Sequence, residues 1–416
     1  MSMPLESSAA LASLRSRAHA ELRDNILPFW EQHAFADDGS LVATVEDDGT
    51  VTHDGPRHSV LVARILWTYA AAAQAEDDPA LRERWLAVGR TAYAMLTEQC
   101  LDPDHGGVYW SVDRHGVALE PRKQVYAQAF AIYGLAAWHA ATGEAAALRH
   151  ATGLFALLET HSRDTALGGY FEAHSREWGH LDDTALSSRD LNVPKSMNTN
   201  LHVLEAYTTL ARVTRDAHVI EALTALLRVT LDHIYGTQPW AHCRLFFDME
   251  WNSVVETMSY GHDIEASWLM WDAWEALAAL GVEDPRLAGD TRAAALALAD
   301  AVLEHGTDAD GGVMYEGVGE RVTLPEKHWW PQAEGVVGWL NAYGLSGDPR
   351  HRDAALATWE FLDRCVIDHA GGEWFAIVDR AGRPLLDHES SRKVGPWKCC
   401  YHNGRACLEV IRRIGP

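Results

Sequence analysis

Three histidines stand at similar places in predicted helices of this chain, and histidine is the side chain best suited to proton transfer near neutral pH. His202, His262 and His402 each fall in the first turns of a helix that should face the core. An imidazole with its ordinary pKa of about 6.5 takes up and returns protons readily. A cavity lined by several imidazoles would therefore support proton-transfer chemistry.

Two of these histidines are followed by a glutamate three residues later, as His202/Glu205 and His262/Glu265. Neighbours at this spacing on a helix can form a hydrogen bond. A carboxylate on one ring nitrogen fixes the tautomer and makes the other nitrogen more basic. Paired Glu and His on facing helices can also bind metal ions. We expect no metal, because the chain has no H-E-x-x-H motif and the surrounding Asn, Arg and Trp suit a polyol better.

Composition limits the partners of the protein. The net charge of −24 at pH 7 argues against nucleic acid or an anionic membrane surface. No apolar run reaches the roughly 18 residues that a membrane span needs. The segment Met1 to Asp24 has acidic residues and no continuous apolar stretch, so we expect no secretory signal. The six cysteines form no C-x-x-C motif, which favours free thiols in the cytoplasm.

A repeat organises the chain. Two glycines followed by aromatic or apolar residues recur at Gly106-Gly107-Val108-Tyr109, Gly168-Gly169-Tyr170-Phe171, Gly311-Gly312-Val313-Met314-Tyr315 and Gly371-Gly372-Glu373-Trp374-Phe375. The segment Arg244-Leu245-Phe246-Phe247-Asp248 fills the widest gap, and Asp38-Gly39-Ser40-Leu41-Val42 is a degenerate first copy. Six units of about 60 to 80 residues result.

Each unit contains two amphipathic helices, with apolar residues at i, i+3, i+4 and i+7. Asp-Pro pairs at 78–79, 284–285 and 348–349 mark helix starts, since proline is tolerated in a first turn. The predicted helices lie near 8–34, 58–76, 80–100, 123–142, 145–161, 195–214, 217–235, 259–281, 285–305, 328–345, 349–366 and 398–413.

Twelve helices in six hairpins predict an all-α fold, a closed (α/α)6 barrel that forms a single catalytic domain over residues 1–416. The second helix of each unit would lie in the inner ring and the first in the outer ring. Short β-hairpins and loops should gather at the end where the inner helices begin, and there they can wall a pocket.

Polar residues recur where the inner helices should be apolar. Those near the start of an inner helix are Arg64; Lys123, Tyr126 and Gln128; Lys195, Asn198, His202 and Glu205; His262, Asp263 and Glu265; His328, Trp329, Trp330, Gln332 and Glu334; and Trp397, His402, Asn403 and Arg405. A toroid places these helix starts at one end, so they predict a common site. The 17 tryptophans suit a sugar, whose C–H faces stack on indole rings.

Several segments resemble the N-acylglucosamine 2-epimerase superfamily, and most closely the cellobiose 2-epimerases. The resemblance runs from Ile26-Leu27-Pro28-Phe29-Trp30 to Tyr401-His402-Asn403-Gly404-Arg405. It includes Arg64-Ile65-Leu66-Trp67, Gln128-Ala129-Phe130-Ala131-Ile132-Tyr133, Ser259-Tyr260-Gly261-His262-Asp263-Ile264-Glu265, and Trp329-Trp330 with Gln332-Ala333-Glu334. Members of this family fold as (α/α)6 barrels, as the repeat independently predicts.

The resemblance implies a cofactor-independent sugar 2-epimerase. It would interconvert the gluco and manno configurations at C2 of a reducing aldose through an enediolate. By the resemblance, His262 and His402 would be the proton-transfer pair at C2, and His202 would assist ring opening. Arg64, with Asn198 nearby, would stabilise the enediolate oxygens.

The same resemblance implies the residues that bind the sugar. Glu265 and Glu334 would orient histidines or sugar hydroxyls, and Tyr126, Trp330 and Trp397 would form walls of the pocket. The partner would be a mono- or disaccharide with a free reducing end. The protein would be a monomer or a homodimer.

Departures from the family pattern surround the pocket and leave the substrate size open. Asn200 stands where many relatives have another His, Pro331 follows Trp330, and Cys400 stands where a Pro is common. A mannose 2-epimerase or a mannose (aldose–ketose) isomerase acting on the monosaccharide is therefore an alternative. A glycoside hydrolase on the same fold would need two carboxylates flanking the scissile bond, where this chain has histidines.

Overall fold

Alternating outer and inner helices account for most of the chain. The computed structural model describes residues 8–415. The helices are α1 (Ala9–Ala20), α2 (Leu27–His33), α3 (Ser59–Ala75), α4 (Pro79–Met95), α5 (Val125–Thr142), α6 (Ala145–His161), α7 (Met197–Thr214), α8 (Ala217–Val229), α9 (Tyr260–Ala279), α10 (Pro285–Ala301), α11 (Trp329–Ser346), α12 (Pro349–Phe361) and α13 (Tyr401–Arg413). The predictions of one domain over 1–416 and of no secretory signal in 1–24 extend onto residues 1–7 and 416, which lie outside the described residues.

The inner ring consists of α3, α5, α7, α9, α11 and α13. Each inner helix contacts the next one, and α13 contacts α3, which closes the ring. In α5 every residue from Val125 to Trp138 is buried, whereas the outer helix α4 buries one narrow face. A helix that is apolar all round belongs in a core, and one with an apolar stripe belongs at the surface. The predicted (α/α)6 barrel is confirmed. Within residues 8–415, every helix is too short or too polar to cross a bilayer.

Five helical runs contain a π-helical segment, which the periodic pattern did not predict. These segments are Glu21–Ile26, which joins α1 to α2, and Leu96–Cys100, Thr230–Ile234, Val302–Gly306 and Leu362–Val366, which extend four outer helices. The outer helices therefore run to the predicted ends, but their last turn is wider than an α-helical turn.

Short strands lie at the end of the ring where the inner helices begin, as predicted. They are β1 (Thr44–Val45), β2 (Val51–Thr52), β3 (Arg57–His58), β4 (Ser111–Val112), β5 (Ala118–Glu120), β6 (Lys123–Gln124), β7 (Ala173–His174), β8 (Lys195–Ser196), β9 (Tyr235–Gly236), β10 (His242–Cys243), β11 (Phe246–Phe247), β12 (Thr257–Ser259), β13 (Glu316–Val318), β14 (Arg321–Leu324), β15 (Lys327–His328) and β16 (Ile377–Val378). All of their pairings are antiparallel. The helices predicted to start at 123 and 195 begin two residues later, because those first residues pair as β6 and β8.

The Gly-Gly repeat has a structural cause. Gly169 adopts a left-handed φ of 74°, and a Cβ there would lie 2.4 Å from the Trp251 ring. Only glycine fits a position with both this backbone conformation and this contact. The Asn200 side chain then holds the turn, because it accepts a hydrogen bond from the backbone N–H of Tyr170 at 2.8 Å and donates one to its carbonyl at 3.2 Å.

The same pair of hydrogen bonds between an inner-helix amide side chain and the backbone of a Gly-Gly turn recurs around the ring. Gln128 brackets Val108 and Gln332 brackets Val313 through equivalent hydrogen bonds. Buried lysines at the helix starts pair with aspartates of the preceding turns, as Lys123 does with Asp102 at 2.9 Å. The prediction that all polar residues at the inner helix starts belong to one site is therefore wrong for these residues, which fix the loops to the ring.

Candidate active site

His202 and His402 are each held by a buried glutamate. Nδ1 of His202 lies 2.9 Å from Oε2 of Glu205, one turn further along α7. Nδ1 of His402, in the first turn of α13, lies 2.7 Å from Oε1 of Glu334 on α11. The Nε2 atom of each ring has no hydrogen-bond partner among residues 8–415. Both imidazoles are thus anchored through Nδ1, which leaves Nε2 for a ligand.

His262 is anchored differently from the prediction. Its Nδ1 lies 2.9 Å from the hydroxyl oxygen of Ser259, the residue just before α9. The predicted His262–Glu265 hydrogen bond is wrong, because Glu265 instead accepts a hydrogen bond from Arg405 at 2.6 Å. The i, i+3 spacing allowed the contact, but a buried guanidinium is the stronger partner for a carboxylate.

Aromatic contacts bring the three histidines to one space. The rings of His262 and Trp330 lie 4.7 Å apart, and those of Trp330 and His402 lie 5.6 Å apart. On the other side, the Tyr126 ring packs edge-on against His202 at 5.0 Å. His202 is joined to His402 through Phe130 and Tyr401, whose rings contact each other and the two histidines at 4.7 to 5.3 Å. The predicted wall residue Trp330 therefore contacts both predicted proton-transfer residues, and the predicted wall residue Tyr126 contacts His202.

The electrostatics keep two imidazoles neutral. Burial, and then the charge of His202, lowers the pKa of His262 to about 3. Burial, followed by the charges of Arg64, Arg405 and His202, lowers the pKa of His402 well below 6.5. At neutral pH both imidazoles are therefore neutral, and the ring nitrogen that carries no proton can act as a base.

Arg64 is a buried cation without an ionic partner. One terminal nitrogen donates to the Tyr126 hydroxyl at 2.7 Å, and the guanidinium lies over the rings of Phe130 at 4.2 Å and Tyr401 at 4.9 Å. Its Nε has no hydrogen-bond partner, and no carboxylate of the described residues lies within ion-pairing distance. An unpaired buried guanidinium is suited to binding negative charge on a ligand.

Asn198 and Trp397 lie at the edges of this group. Asn198 stands one turn before His202 on α7, and its buried Oδ1 has no hydrogen-bond partner. The Trp397 ring lies 6.0 Å from Tyr126 and from Trp110. Trp397 remains 38% exposed, so it lies where the site meets solvent.

A second buried arginine lies behind the histidines. Arg405 binds Oε1 of Glu205, and it donates to Glu265 at 2.6 Å and to Glu334 at 2.7 Å. The Tyr401 hydroxyl also donates to Glu205, at 2.5 Å. Burial alone would raise the pKa of Glu205, but Arg405 and then His202 outweigh it and lower that pKa to about 2. Burial and the charge of Glu334 raise the pKa of Glu265.

Residues 41–403 match the N-acylglucosamine 2-epimerase (GlcNAc 2-epimerase) family over most of the chain. The chain belongs to the N-acylglucosamine 2-epimerase family.

Several proteins similar to this chain are named cellobiose 2-epimerases. That of Bacteroides fragilis is 38% identical over 403 residues, covering 96% of this chain and 98% of that protein. That of Ruminococcus albus is 35% identical over 401 residues, covering 96% and 98%. The solved cellobiose 2-epimerase of Bacillus thermoamylovorans B4167 superposes with a TM-score of 0.89 at 33% identity, covering 97% of this chain and 100% of that one. The family resemblance and the fold predicted from the sequence are confirmed.

One cluster of this family member has the donor types of a metal site. Glu265, Glu334 and His402 each offer a ligand atom, and these atoms lie within 4.8 Å of one another. However, the Arg405 guanidinium already donates to both carboxylates. A cation bound there would compete with a fixed positive charge, so the donor set fits an ion poorly. The absence of a metal from the reaction stays a prediction.

Sequence reasoning missed several residues of the site. Arg405 was among the polar residues of the last helix, but no role followed from its position, and Tyr401, Ser259 and Trp268 were not predicted as site residues. The spacing did carry a signal, because Ser259 precedes His262 by three residues and Arg405 follows His402 by three. Trp268 on α9 donates to Oε2 of Glu334 on α11 at 3.0 Å. Because the two residues lie on different helices, no local sequence pattern predicts that contact.

Proposed function

We propose that the protein is a cofactor-independent sugar 2-epimerase that interconverts gluco and manno configurations at C2 of a reducing aldose. The observation that carries this proposal is the arrangement of His262 and His402. Both are anchored through Nδ1, and both contact the same Trp330 ring. The cellobiose 2-epimerases among the relatives support the same reaction.

Epimerisation at C2 needs two bases on opposite faces of the carbon. In the opened aldose the C2–H bond is acidified by the neighbouring aldehyde. Nε2 of one imidazole takes the C2 proton, and the electron pair of that bond moves into the C1–C2 bond and onto O1. The second imidazole, which takes up a proton from solvent on its Nε2, gives that proton to the opposite face as the aldehyde re-forms, and the first imidazole releases the C2 proton to solvent. We assign His262 and His402 to these two steps.

The remaining polar groups act on the oxygen atoms. Arg64 would face the negative charge that develops on O1 and O2, where a fixed cation lowers the barrier. Asn198 would contribute its side-chain amide next to it. His202, whose Nδ1 is held by Glu205, would pass a proton between ring oxygen and hydroxyl when the sugar ring opens.

The aromatic residues and carboxylates position the sugar and the bases. Tyr126, Trp330 and Trp397 would contact the faces of the sugar. Glu334 would orient His402. Glu265, which contacts Arg405 rather than His262, would orient sugar hydroxyls or act through that arginine.

We further propose a disaccharide with a free reducing end, such as cellobiose, as the substrate. The exposed Trp397 ring at the solvent boundary offers a face on which a second sugar ring would stack, and several relatives are named cellobiose 2-epimerases. We also propose that residues 1–416 form one catalytic domain, that the enzyme works in the cytoplasm as a monomer or homodimer, and that it requires no cofactor.

Proton NMR in D2O tests the reaction. The enzyme is incubated separately with cellobiose, glucose and mannose. Deuterium at C2 together with gluco–manno interconversion would support the epimerase, and the preferred sugar identifies the substrate size. Formation of a ketose as the main product would replace the proposal with aldose–ketose isomerisation. Release of glucose from cellobiose without C2 exchange would mean hydrolysis.

A further inference from the structure

Arg405 connects three inner helices to a fourth. It lies on α13, is 1% exposed, and binds carboxylates of α7, α9 and α11. A buried carboxylate is costly unless it is paired and hydrogen-bonded. Here a single guanidinium pairs with the carboxylates of Glu205, Glu265 and Glu334.

Two of these carboxylates hold the site histidines. Glu205 uses Oε1 for Arg405 and Oε2 for Nδ1 of His202. Glu334 uses Oε1 for both Arg405 and Nδ1 of His402. A single carboxylate therefore separates Arg405 from Nδ1 of each imidazole, and Nε2 lies on the opposite side of the ring.

We propose that Arg405 is a positioning residue that couples His202 to His402, because it holds Glu205 and Glu334 in place by hydrogen bonds and so sets the tautomer of both imidazoles. Each carboxylate then accepts the Nδ1 proton, and each Nε2 is left as the base. The effect of Arg405 on turnover rests on the proposed function. Its effect on the tautomers of His202 and His402 is independent of that function.

The charged and titratable groups around Arg405 come from every neighbouring inner helix. They are Arg64 on α3, Tyr133 on α5, His202 and Glu205 on α7, Glu265 on α9, Glu334 on α11, and Tyr401 and His402 on α13. The Trp268 and Tyr401 rings lie 4.7 Å and 4.4 Å from the guanidinium carbon. Apart from Arg64 and the imidazoles when protonated, the groups are neutral or negative, so Arg405 supplies most of the positive charge that the carboxylates experience.

The sign of the effect follows from these charges. Removal of the guanidinium makes the buried carboxylates harder to ionise and makes His402 easier to protonate. Both changes require a higher pH to reach the active state, so the acid limb of the kcat profile moves upward. A lysine keeps the charge but loses the planar fork that reaches carboxylates on different helices, so Arg405→Lys should lie between the wild type and Arg405→Gln.

Kinetics of these variants, with Arg413→Lys as a matched control, provide the first test. Arg413 is also a buried arginine of α13, and its guanidinium lies 5.9 Å from the Trp268 ring, but its hydrogen bonds go to Glu409 and Asn341 and to no carboxylate that holds a histidine. We expect Arg405→Lys to lower kcat at least tenfold and to move the acid limb upward by about one pH unit. Arg413→Lys should leave the profile in place. An unmoved profile in Arg405→Lys, or an equal shift in both variants, would overturn the proposal.

Nitrogen-15 NMR of histidine-labelled protein tests the tautomers without activity. His202 and His402 are assigned from the loss of signals in His202→Asn and His402→Asn. In the wild type both should carry the proton on Nδ1 at neutral pH, and in Arg405→Lys this preference should weaken. Protons on Nε2 in the wild type would overturn the proposal even if every Arg405 variant unfolds. If the tautomers respond to Arg405 but no sugar is epimerised, the proposed function fails and the coupling stands.

Discussion

Nδ1 of His402 lies 2.7 Å from Oε1 of Glu334, and both side chains are buried. Arg405 and Trp268 also donate hydrogen bonds to this carboxylate. Glu334 is therefore an acceptor, and the imidazole donates its Nδ1 proton to it. The other ring nitrogen of His402 is thereby fixed as the basic one.

Replacement of Glu334 by glutamine tests this relationship. The Gln amide keeps the size of the side chain but loses the charge that stabilises an imidazolium. We expect Glu334→Gln to lower kcat about a hundredfold, within the range of general acid–base effects, while circular dichroism stays unchanged. Glu159→Gln is the control, because Glu159 accepts hydrogen bonds from Tyr170 and Tyr207 outside the site. Equal kcat in Glu334→Gln and wild type would remove the carboxylate from the mechanism.

Removal of either proton-transfer imidazole should stop epimerisation. We expect His262→Ala and His402→Ala to have no measurable gluco–manno interconversion, because a single base reaches one face of C2 only. His351→Ala is the matched control: His351 is also buried, but it pairs with Asp300 between outer helices. Full turnover in either site variant, with the fold intact, would contradict the assignment.

The unpaired charge of Arg64 predicts which inhibitors bind. An aldonate carries a carboxylate where the enediolate oxygens develop, whereas the corresponding alditol is neutral at that position. Because charge-assisted hydrogen bonds are stronger than neutral ones, we expect cellobionate to inhibit at least tenfold more tightly than cellobiitol. Arg64→Gln should abolish this difference. Calorimetry that finds the two ligands equal in the wild type would contradict the role of Arg64.

The pH dependence of stability should show the burial of Asp263. This carboxyl accepts the backbone N–H of Cys243 at 2.6 Å, and burial raises its pKa to about 8 from an ordinary 3.8. The folded state keeps the proton between these values while the unfolded state releases it. Stability from this group is therefore full below pH 3.8 and falls as pH rises to about 8, by up to about 1.4 kcal/mol per pH unit.

Asp263→Asn should remove this fall in the free energy of unfolding, because the amide stays neutral and still accepts the hydrogen bond. The stability advantage of the variant over wild type should grow from pH 4 to pH 8 and then level off, as measured by urea unfolding. Asp182→Asn, on an exposed loop, should show no such trend. A difference that does not change with pH would mean that Asp263 is ionised in the folded protein.

The ring of helices was predictable because its determinants are local. Apolar periodicity sets each helix, and a left-handed glycine in a Gly-Gly turn marks four of the six units, as Gly169 shows against Trp251. The π-helical segments were not predictable, since a wider turn leaves the apolar pattern almost unchanged.

The site was predictable in its residue types and less so in its contacts. The His202–Glu205 hydrogen bond lies within one helix and follows from spacing. The Glu334–His402 hydrogen bond joins residues 68 positions apart on different helices, so residue spacing does not predict it. For the same reason Arg405, whose partners lie on three other helices, received no role from the sequence.

Solvent exchange at C2 in single-histidine variants tests the two-base assignment most directly. His262→Asn and His402→Asn are each incubated in D2O with the gluco and with the manno epimer, and loss of the C2 proton signal is followed by NMR. If each imidazole serves one face, one variant exchanges only the gluco proton and the other only the manno proton, without interconversion. If either variant still exchanges both epimers, or if both variants exchange the same one, His262 and His402 are not the two bases.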